Sequence, residues 1–390
     1  MADFARGFPT AEFETRLERA QSAMTRDGVD ALVVTTPQNV RYFTGFASTF
    51  WESPTRPWFV IVPRQGLPQA VIPDIGANGF RGAFVNDIMT WPAPRPDDDG
   101  ISLLQAQLER LPRGSGRIGF ELGREMSLRM PTIDFDRLRS NARGLSFIDA
   151  SPLIWALRIV KSEREISAIR RACNIANEAF DVLTPTLEAG QSEHDIARAF
   201  RQMLHGAGAD QVPFLSVCSG AGSYGQIIVG PSERTLATGD VLFIDVGATW
   251  EGYFCDFDRN FAFGAPSTAV EHAHETLWQA TEAGIDAARP GATTADLFTA
   301  MATRIEADGF APPNTGRLGH GLGLQLTEPP SHMPDHAVVL RPNMVLTIEP
   351  GLEIAPGQML VHEENILVRS DGAELLSRRA PREMPVIDVR

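Results

Sequence analysis

Four acidic residues and one histidine, spread over the second half of the chain, constrain its fold more than any other feature. Carboxylate oxygens and imidazole nitrogens are ligands that suit divalent cations. Four buried carboxylates without a counter-charge would repel one another and be costly to desolvate, whereas two dications would balance them. The chain must therefore fold so that distant segments converge on one charged centre. The five residues are Asp245, Asp256, His320, Glu349 and Glu363.

The segments around these residues form a recognisable pattern. They are FIDVGA, FCDFDRNF, LGHGLG, LTIEPG and VHEEN, and the ligand spacings are 11, 64, 29 and 14 residues. The pattern resembles creatinase, prolidase and aminopeptidase P, the pita-bread metallohydrolases. NVRYFTGF, near the N-terminus, resembles the smaller domain of that family. The resemblance thus covers the whole chain and implies an α+β fold. It places a pita-bread catalytic domain at residues 153–390, after a smaller α/β creatinase-type domain at residues 1–152.

Hydrophobic periodicity independently predicts an α/β first domain, because strands and helices alternate along it. The predicted elements are a helix over 11–28, strands at 31–37, 58–63 and 69–73, a helix over 101–111, and a further strand and helix between 117 and about 150.

The second domain is predicted to open with two capped helices. Ser162 and Glu165 have the spacing of a capping box, and Ser192 with Asp195 repeats the signature before residues 193–204. Strand and helix patterns follow, and in the predicted strand over 252–263 Asp256 and Asp258 would share one face. The other predicted elements are strands at 241–248, 344–351 and 364–370 and helices at 270–288 and 294–308.

Charge and cysteine content limit the partners and the compartment. The chain has 35 basic and 49 acidic side chains, a net charge of −14, which argues against nucleic-acid binding. Its three cysteines are scattered and odd in number, as in a reduced cytosolic protein. The N-terminus lacks an apolar signal core, and no apolar run approaches membrane-spanning length. We therefore expect a cytoplasmic protein without a membrane or nucleic-acid partner.

The family resemblance implies a role for each ligand. Asp245 would chelate one metal and His320 the other, with Glu349 serving the His-bound metal. Asp256 and Glu363 would bridge the two. A metal pair of this kind can hold a bridging hydroxide and polarise a substrate carbonyl. The ligand set favours manganese, with cobalt, zinc or iron as alternatives.

Three departures from the family pattern bear on catalysis. Thr327, in LTEPP, stands where the peptidases of this family usually carry histidine. Ile227 or a neighbour, in SGAGSYGQIIVG, stands at the position of a second family histidine, and neither residue can titrate near neutrality. Asp258 replaces a frequent threonine and would either act in catalysis or pair with Arg259 or another surface cation. His332 follows EPP and would either transfer protons or simply be solvated.

The loop over residues 46–59 is rich in aromatic side chains and follows FTGF. In relatives that the chain resembles, the small domain of one subunit approaches the site of its dimer partner. Trp51 and Arg56 would then bind substrate, in a homodimer. Trp58 would either join them or belong to the core of the following strand.

Three functions are compatible with these residues. The first is a dinuclear-metal hydrolase that cleaves a C–N bond, amide or Xaa-Pro peptide, of a small molecule or short peptide. The second is a non-peptidase enzyme on the same fold, either an amidine hydrolase or a lyase of a small zwitterion. The third is a non-enzymatic binding protein, which a retained full ligand set disfavours. Thr327 and Ile227 would bind substrate without supplying protons, so we expect weak Xaa-Pro dipeptidase activity.

Overall fold

We describe a computed structural model of the chain, and the description covers residues 6–52, 56–112, 114–311 and 316–389. The chain forms two compact units that divide between Arg158 and Ile159. Each unit has its own hydrophobic core. The boundary predicted after residue 152 stays a prediction. Among helices in the described ranges, none has both the length and the apolar composition needed to cross a bilayer.

The first unit is a layered α/β structure. Its elements in chain order are α1 (Thr10–Asp27), β1 (Ala31–Val34), α2 (Pro37–Thr44), β2 (Phe59–Pro63), β3 (Gln69–Pro73), α3 (Ala77–Phe80), β4 (Asp87–Trp91), α4 (Ile101–Arg110), β5 (Arg117–Phe120), α5 (Thr132–Asn141), β6 (Ser146–Asp149) and α6 (Ser151–Arg158).

The strands of the first unit form one six-stranded sheet, in the order β4-β3-β2-β1-β5-β6. Strand β1 pairs antiparallel with β2 and parallel with β5. Every residue of β1 and β2 is buried, which explains why these segments are continuously apolar rather than alternating. The predicted α/β organisation of this part is thereby confirmed.

The second unit carries the predicted ligands. Its elements in chain order are α7 (Glu163–Leu183), α8 (Glu193–Gly206), β7 (Gln211–Ala221), β8 (Asp240–Trp250), β9 (Tyr253–Phe254), β10 (Phe257–Phe263), α9 (Thr268–Ala287), α10 (Thr294–Ala307), β11 (His320–Gly321), β12 (Glu328–Ser331), β13 (Val345–Ile348), β14 (Gly351–Ala355), β15 (Gln358–Val361), β16 (Glu364–Arg369), β17 (Gly372–Leu375) and β18 (Val386–Ile387).

Two five-stranded sheets organise this unit. One has the order β18-β10-β8-β7, with β9 paired to β8, and the other has the order β12-β11-β13-β16-β17. Strands β14 and β15 form a separate pair. Apolar residues of α9 and α10 pack on these sheets, and together they form the cores of the unit.

Helices α7 and α8 begin at the predicted serines. The Ser162 hydroxyl accepts from Glu165 N, and the Glu165 carboxylate accepts from Ser162 N at 2.8 Å. Ser192 likewise accepts from Asp195 N at the start of α8. Each cap satisfies backbone N–H groups that the first helical turn leaves unpaired, so both predicted helix starts are confirmed.

The strand predicted over 252–263 is interrupted, and the prediction was wrong at its centre. Strand β9 ends at Phe254 and β10 begins at Phe257, so Asp256 lies between them. The side chain of Asn365 takes the place of a neighbouring strand there. Its Oδ1 accepts from Asp256 N at 2.9 Å, and its Nδ2 donates to the Asp256 carbonyl.

Candidate metal centre

The five predicted ligands come from the two five-stranded sheets. Asp245 lies within β8, and His320 opens β11. The other three flank strands: Asp256 directly precedes β10, Glu349 directly follows β13, and Glu363 directly precedes β16. Four of the five are buried, and the side chain of Glu349 keeps 24% exposure. The site is thus built where both sheets supply acidic groups, with Glu349 on its most accessible side.

The structure brings these side chains together. Asp256, His320 and Glu363 each offer a ligand atom, and the three atoms lie within 4.8 Å of one another. His320 Nε2 lies 3.5 Å from Asp256 Oδ2 and 3.8 Å from Glu349 Oε2. Asp245 is near enough to Glu349 that the charge of this carboxylate, after burial, raises the pKa of Asp245.

His320 has the tautomer that a metal ligand needs. Its Nδ1 lies 2.8 Å from the carbonyl oxygen of Gly321, so Nδ1 carries the proton and donates it. Nε2 therefore keeps a lone pair, and this is the atom that faces the carboxylates. Burial, followed by the charge of Arg317, lowers the pKa of His320 to about 3. The imidazole is consequently neutral at physiological pH and able to bind a cation.

The acidic groups have the electrostatics of a metal site. Burial and then the charge of Glu349 raise the pKa of Asp245 to about 8. The pKa values of Asp256 and Glu363 are also well above their usual range, first from burial and then from repulsion by neighbouring carboxylates. Asp245 Oδ1 and Glu363 Oε1 have no hydrogen-bond partner among the described residues. Divalent cations would supply both the missing partners and the missing charge, so these residues fit metal binding.

Asn365 is a supporting residue that sequence reasoning missed. Besides holding the backbone of Asp256, it donates its own N–H to Ser377 Oγ at 3.0 Å. It stands two residues after Glu363, so one buried amide ties together the segments of both predicted bridging ligands. The available signal was a polar side chain at the start of the otherwise apolar strand that follows VHEE.

Thr347 and Gly319 fix the position of His320. The Thr347 hydroxyl accepts from His320 N at 3.0 Å, and the Thr347 carbonyl accepts from His332 Nε2 at 2.9 Å. Gly319 has φ +126°, and a Cβ there would lie 2.5 Å from the Thr347 carbonyl oxygen. The residue before the ligand histidine must therefore be glycine.

His332 lies within this support and is fully buried. Burial lowers its pKa to about 4, so its imidazole is neutral. Its Nε2–H donates to the Thr347 carbonyl, as expected of a residue that supports the segment carrying His320. The predicted alternative of a solvated loop histidine was wrong, because the side chain is buried, and a proton-transfer role for His332 stays a prediction.

Arg317 is a second residue that sequence reasoning missed. Burial is the largest cause of the pKa shifts of Asp256, Glu349 and His320, and the positive charge of Arg317 lowers the pKa of all three. Its guanidinium is half-buried, and Nη2 lies 3.5 Å from Thr327 Oγ1. A cation thus stands beside the acidic cluster. In the sequence it was a lone arginine three residues before the ligand histidine.

Comparison with known proteins decides the family. The model of Metallopeptidase family M24 matches residues 167–370, which is more than half of the chain. The chain belongs to this family. The model of the Creatinase/Prolidase N-terminal domain matches residues 16–160. These matches confirm the predicted α+β architecture, a pita-bread catalytic domain after a creatinase-type domain. As an M24 member the protein is a metal-dependent hydrolase.

The relatives of this M24 chain match it over nearly their full length. It is 27% identical to the putative dipeptidase YkvY of Bacillus subtilis, over 93% of this chain and 97% of YkvY. It is also 27% identical to the probable dipeptidase PepE of Mycobacterium bovis, over 99% of both. The crystal structure of the dipeptidase PepE from Mycobacterium ulcerans has a TM-score of 0.85 and 27% identity, with 98% of this chain and 100% of that chain covered.

Thr327 and Ile227, the predicted departures from the M24 pattern, lie in different surroundings. Thr327 is half-buried beside Arg317, and the next residue, Glu328, forms a buried ion pair with Lys161 at 3.1 Å.

Ile227 is partly buried against the hydrophobic core under α9. Its neighbour Val229 is exposed, and the Val229 carbonyl accepts from Ser216, a residue directly across the sheet from Asp245. Thr327 therefore lies beside Arg317, and the Val229 carbonyl lies beside the strand partner of Asp245, whereas the Ile227 side chain packs into the core.

Asp258 lies directly opposite Asp245 in the β8–β10 pair, so both side chains share one face of the M24 sheet. It is buried, and both its carboxyl oxygens lack a hydrogen-bond partner among the described residues. Burial, then the charge of Asp245, raises its pKa well above the usual range. Arg259 donates to the Asp258 backbone carbonyl and makes its side-chain ion pair with Glu364 at 3.3 Å instead. The predicted alternative of an Asp258–Arg259 side-chain pair does not form.

The first unit holds the predicted substrate residues of the 46–59 loop, of which residues 53–55 lie outside the described residues. Trp51 is largely buried, with its ring 5.5 Å from that of Trp58. Trp58 itself is buried against Phe46 at 5.2 Å, in agreement with the core alternative. The guanidinium of Arg56 lies 5.3 Å from the ring of Phe50. A substrate role for Trp51 and Arg56 stays a prediction.

Proposed function

We propose that this M24 hydrolase uses two divalent cations to cleave the amide or peptide bond of a short substrate with a free carboxylate. The observation that supports the proposal most is the convergence of three carboxylates, those of Asp256, Glu349 and Glu363, on His320, with the charge of Arg317 beside them. The names of the relatives, dipeptidases, agree with a short peptide. Manganese suits this oxygen-rich ligand set best, with cobalt, zinc or iron as alternatives.

Each of the five predicted ligands would have a defined role in binding the cations. Asp256 and Glu363 would bridge the cations, Asp245 would complete one site, and His320 with Glu349 would complete the other. When bound, the cations activate water and polarise the scissile carbonyl. Asp258, with two unpartnered oxygens next to Asp245, is the residue of this chain that we propose acts in catalysis.

Arg317 would orient the substrate. A guanidinium binds a carboxylate through paired charged hydrogen bonds, which fix direction as well as position. Thr327 Oγ1, 3.5 Å from Nη2, would limit the rotamers of the arginine. A dipeptide places its terminal carboxylate one residue from the scissile bond, so a cation next to the metal ligands favours short substrates.

We expect Arg317→Met to lower kcat/KM for a dipeptide by about ten- to a hundredfold, since a charged hydrogen bond contributes about 1.5–3 kcal/mol. The same variant should change little on the C-terminal amide of that dipeptide. Steady-state assays on both substrates measure this, with metal content and Tm recorded for each variant. The exposed Arg341→Met is the matched control. An equal loss on acid and amide would show that Arg317 does not bind the carboxylate.

The rate of Xaa-Pro peptide hydrolysis tests whether the chemical step needs the two family histidines that this chain lacks. Loss of a general acid or base typically costs about 10²–10⁴-fold, so we expect turnover of Ala-Pro below about 0.1 per second. Thr327→His should raise that rate, and Thr327→Val should not. Assays use the manganese- or cobalt-loaded protein and include longer Xaa-Pro peptides. Turnover near ten per second in the unchanged protein would show that the two family histidines are dispensable here.

The absence of titratable side chains at Thr327 and Ile227 favours a second candidate, a non-peptidase reaction on a small zwitterion. An amidine hydrolase or a lyase would use the same cations and Arg317 but no histidine at those two positions. A panel of dipeptides, amidines and small zwitterions with the metal-loaded protein separates the candidates. Turnover confined to a non-peptide would favour the second.

We further propose a cytoplasmic homodimer in which the 46–59 loop reaches the partner's pocket. Its three free, buried cysteines are compatible with a reducing compartment. Sedimentation should show a dimer, and Trp51→Ala or Arg56→Ala should raise KM several-fold without loss of metal. The matched control is the exposed Arg95→Ala. A fully active monomer would contradict this arrangement.

A further inference from the structure

A cavity lies in the catalytic unit, and Asp258 but none of the five predicted metal ligands lines it. It has a volume of about 780 Å³, counting the part that opens to solvent. Its walls come from the end of α7, the edge of β10, α9 and the segment after β17. Phe180, Phe261, Pro381 and Pro385 supply much of its apolar surface. A largely apolar cavity with a few polar groups is typical of a small-molecule site.

The positive charges of this cavity are already neutralised. Each of the three arginines that line the cavity forms an ion pair with a carboxylate. An anionic ligand would therefore have to compete with existing ion pairs, so charge does not select the occupant. The pairs are Arg378 with Asp181 at 2.5 Å, Arg379 with Glu282 at 2.7 Å, and Arg259 with Glu364 at 3.3 Å.

Besides the carboxyl group of Asp258, whose oxygens have no partner among the described residues, two buried imidazoles supply polar capacity. His274 is 4% exposed and His362 1% exposed, and both line the cavity. Their rings are in edge contact, with centroids 5.8 Å apart. Neither Nε2 atom has a hydrogen-bond partner in the part of the chain that the structure describes.

The hydrogen bonds of the other ring nitrogen in each imidazole determine which of the two can donate through Nε2. The Pro381 carbonyl accepts a hydrogen bond from His274, so the Nε2 of His274 keeps a lone pair. Arg379 can only donate, and its Nη1 lies 3.3 Å from His362 Nδ1, so His362 carries its proton on Nε2. The cavity thus presents one buried acceptor and one buried donor from neighbouring rings.

We propose that this cavity binds a small uncharged phenol or a related ring alcohol. A hydroxyl group donates and accepts at once, so it can serve His274 Nε2 and His362 Nε2–H together. The ring body packs against Phe180, Phe261 and the prolines. Leaving both buried nitrogens unpaired is costly, which gives the hydroxyl a specific contribution to binding. Asp258, which we propose acts in catalysis, also lines this cavity, so the proposal is tested by binding and not by turnover.

Binding of phenol and of toluene to the metal-loaded full chain tests the proposal, measured by ligand-observed NMR and calorimetry. Phenol should bind at least about tenfold more tightly than toluene, since toluene leaves the two nitrogens unpaired. Thr184→Tyr should fill the cavity and weaken phenol binding by at least about tenfold. The matched control is Thr186→Tyr, in the same short helix Thr184–Thr186 but exposed and outside the cavity.

His274→Phe removes the acceptor and should bring the affinity for phenol down to that for toluene, with the exposed His272→Phe as its control. If His274→Phe does not fold, the comparison of Thr184→Tyr with Thr186→Tyr still tests the proposal. Phenol binding that is equal in Thr184→Tyr and Thr186→Tyr would overturn the proposal. So would equal affinities for phenol and toluene, or no binding of either at millimolar concentration.

Discussion

Asp256→Ala and Glu363→Ala should each remove nearly all hydrolase activity and most of the bound metal. Both side chains are buried, and each has an oxygen within 4.8 Å of the other and of the imidazole of His320. A bridging ligand serves both cations, so its loss weakens two sites at once. The fall in kcat should exceed the roughly hundredfold seen when a residue that only supports a ligand is lost.

His320→Ala should instead weaken one of the two sites, because an imidazole with one free nitrogen binds one cation. Metal content and kcat of the three variants are compared with those of Glu353→Gln, an exposed acidic residue on β14. Small and equal losses of metal in all three variants would contradict the bridging roles.

The metal-free protein should become less stable as the pH rises from about 6.5 to about 8, a range in which the depressed pKa values of His320 and His332 no longer oppose the trend. The folded-state pKa of Asp245 is raised to about 8 by burial and by Glu349, against about 3.9 in an unfolded chain. Between these values the folded state holds a proton that the unfolded state has lost, so stability falls with rising pH. Asp256 and Glu363 shift in the same direction.

Added metal should reverse this trend, because cations replace the protons. At a hundredfold excess over Kd, each site should add about 2.7 kcal/mol to the free energy of unfolding. Thermal unfolding of the metal-free and manganese-loaded protein at pH 6.5 and pH 8 measures both effects. The gain from manganese should be larger at pH 8. A metal-free protein that is most stable at pH 8 would contradict the buried acidic cluster.

Much of the second unit could be predicted because its signals are local or strongly patterned. The helix starts at Ser162 and Ser192 depend on residues three apart, and the structure forms both caps. The five ligands could be selected jointly, since five segments in a fixed order carry far more information than any one aspartate or histidine. The same local rules placed the strands of the first unit.

The supporting residues could not be predicted, because their partners are distant in sequence. Asn365 contacts Asp256 across 109 residues, and nothing near either residue signals the contact. The interruption of the strand at Asp256 has the same cause, since a tertiary amide replaces a neighbouring strand. Arg317 was missed because a single half-buried cation has no periodicity. Its importance comes from the acidic side chains that folding places around it.

Metal content per chain tests the central claim most directly. The protein is stripped with a chelator, loaded with manganese, freed of excess metal and measured by inductively coupled plasma mass spectrometry, with Glu363→Gln in parallel. We predict two manganese ions per chain in the unchanged protein and fewer than one in the variant. No metal uptake by the folded protein, or the same uptake by both proteins, would contradict a dinuclear centre at these five residues.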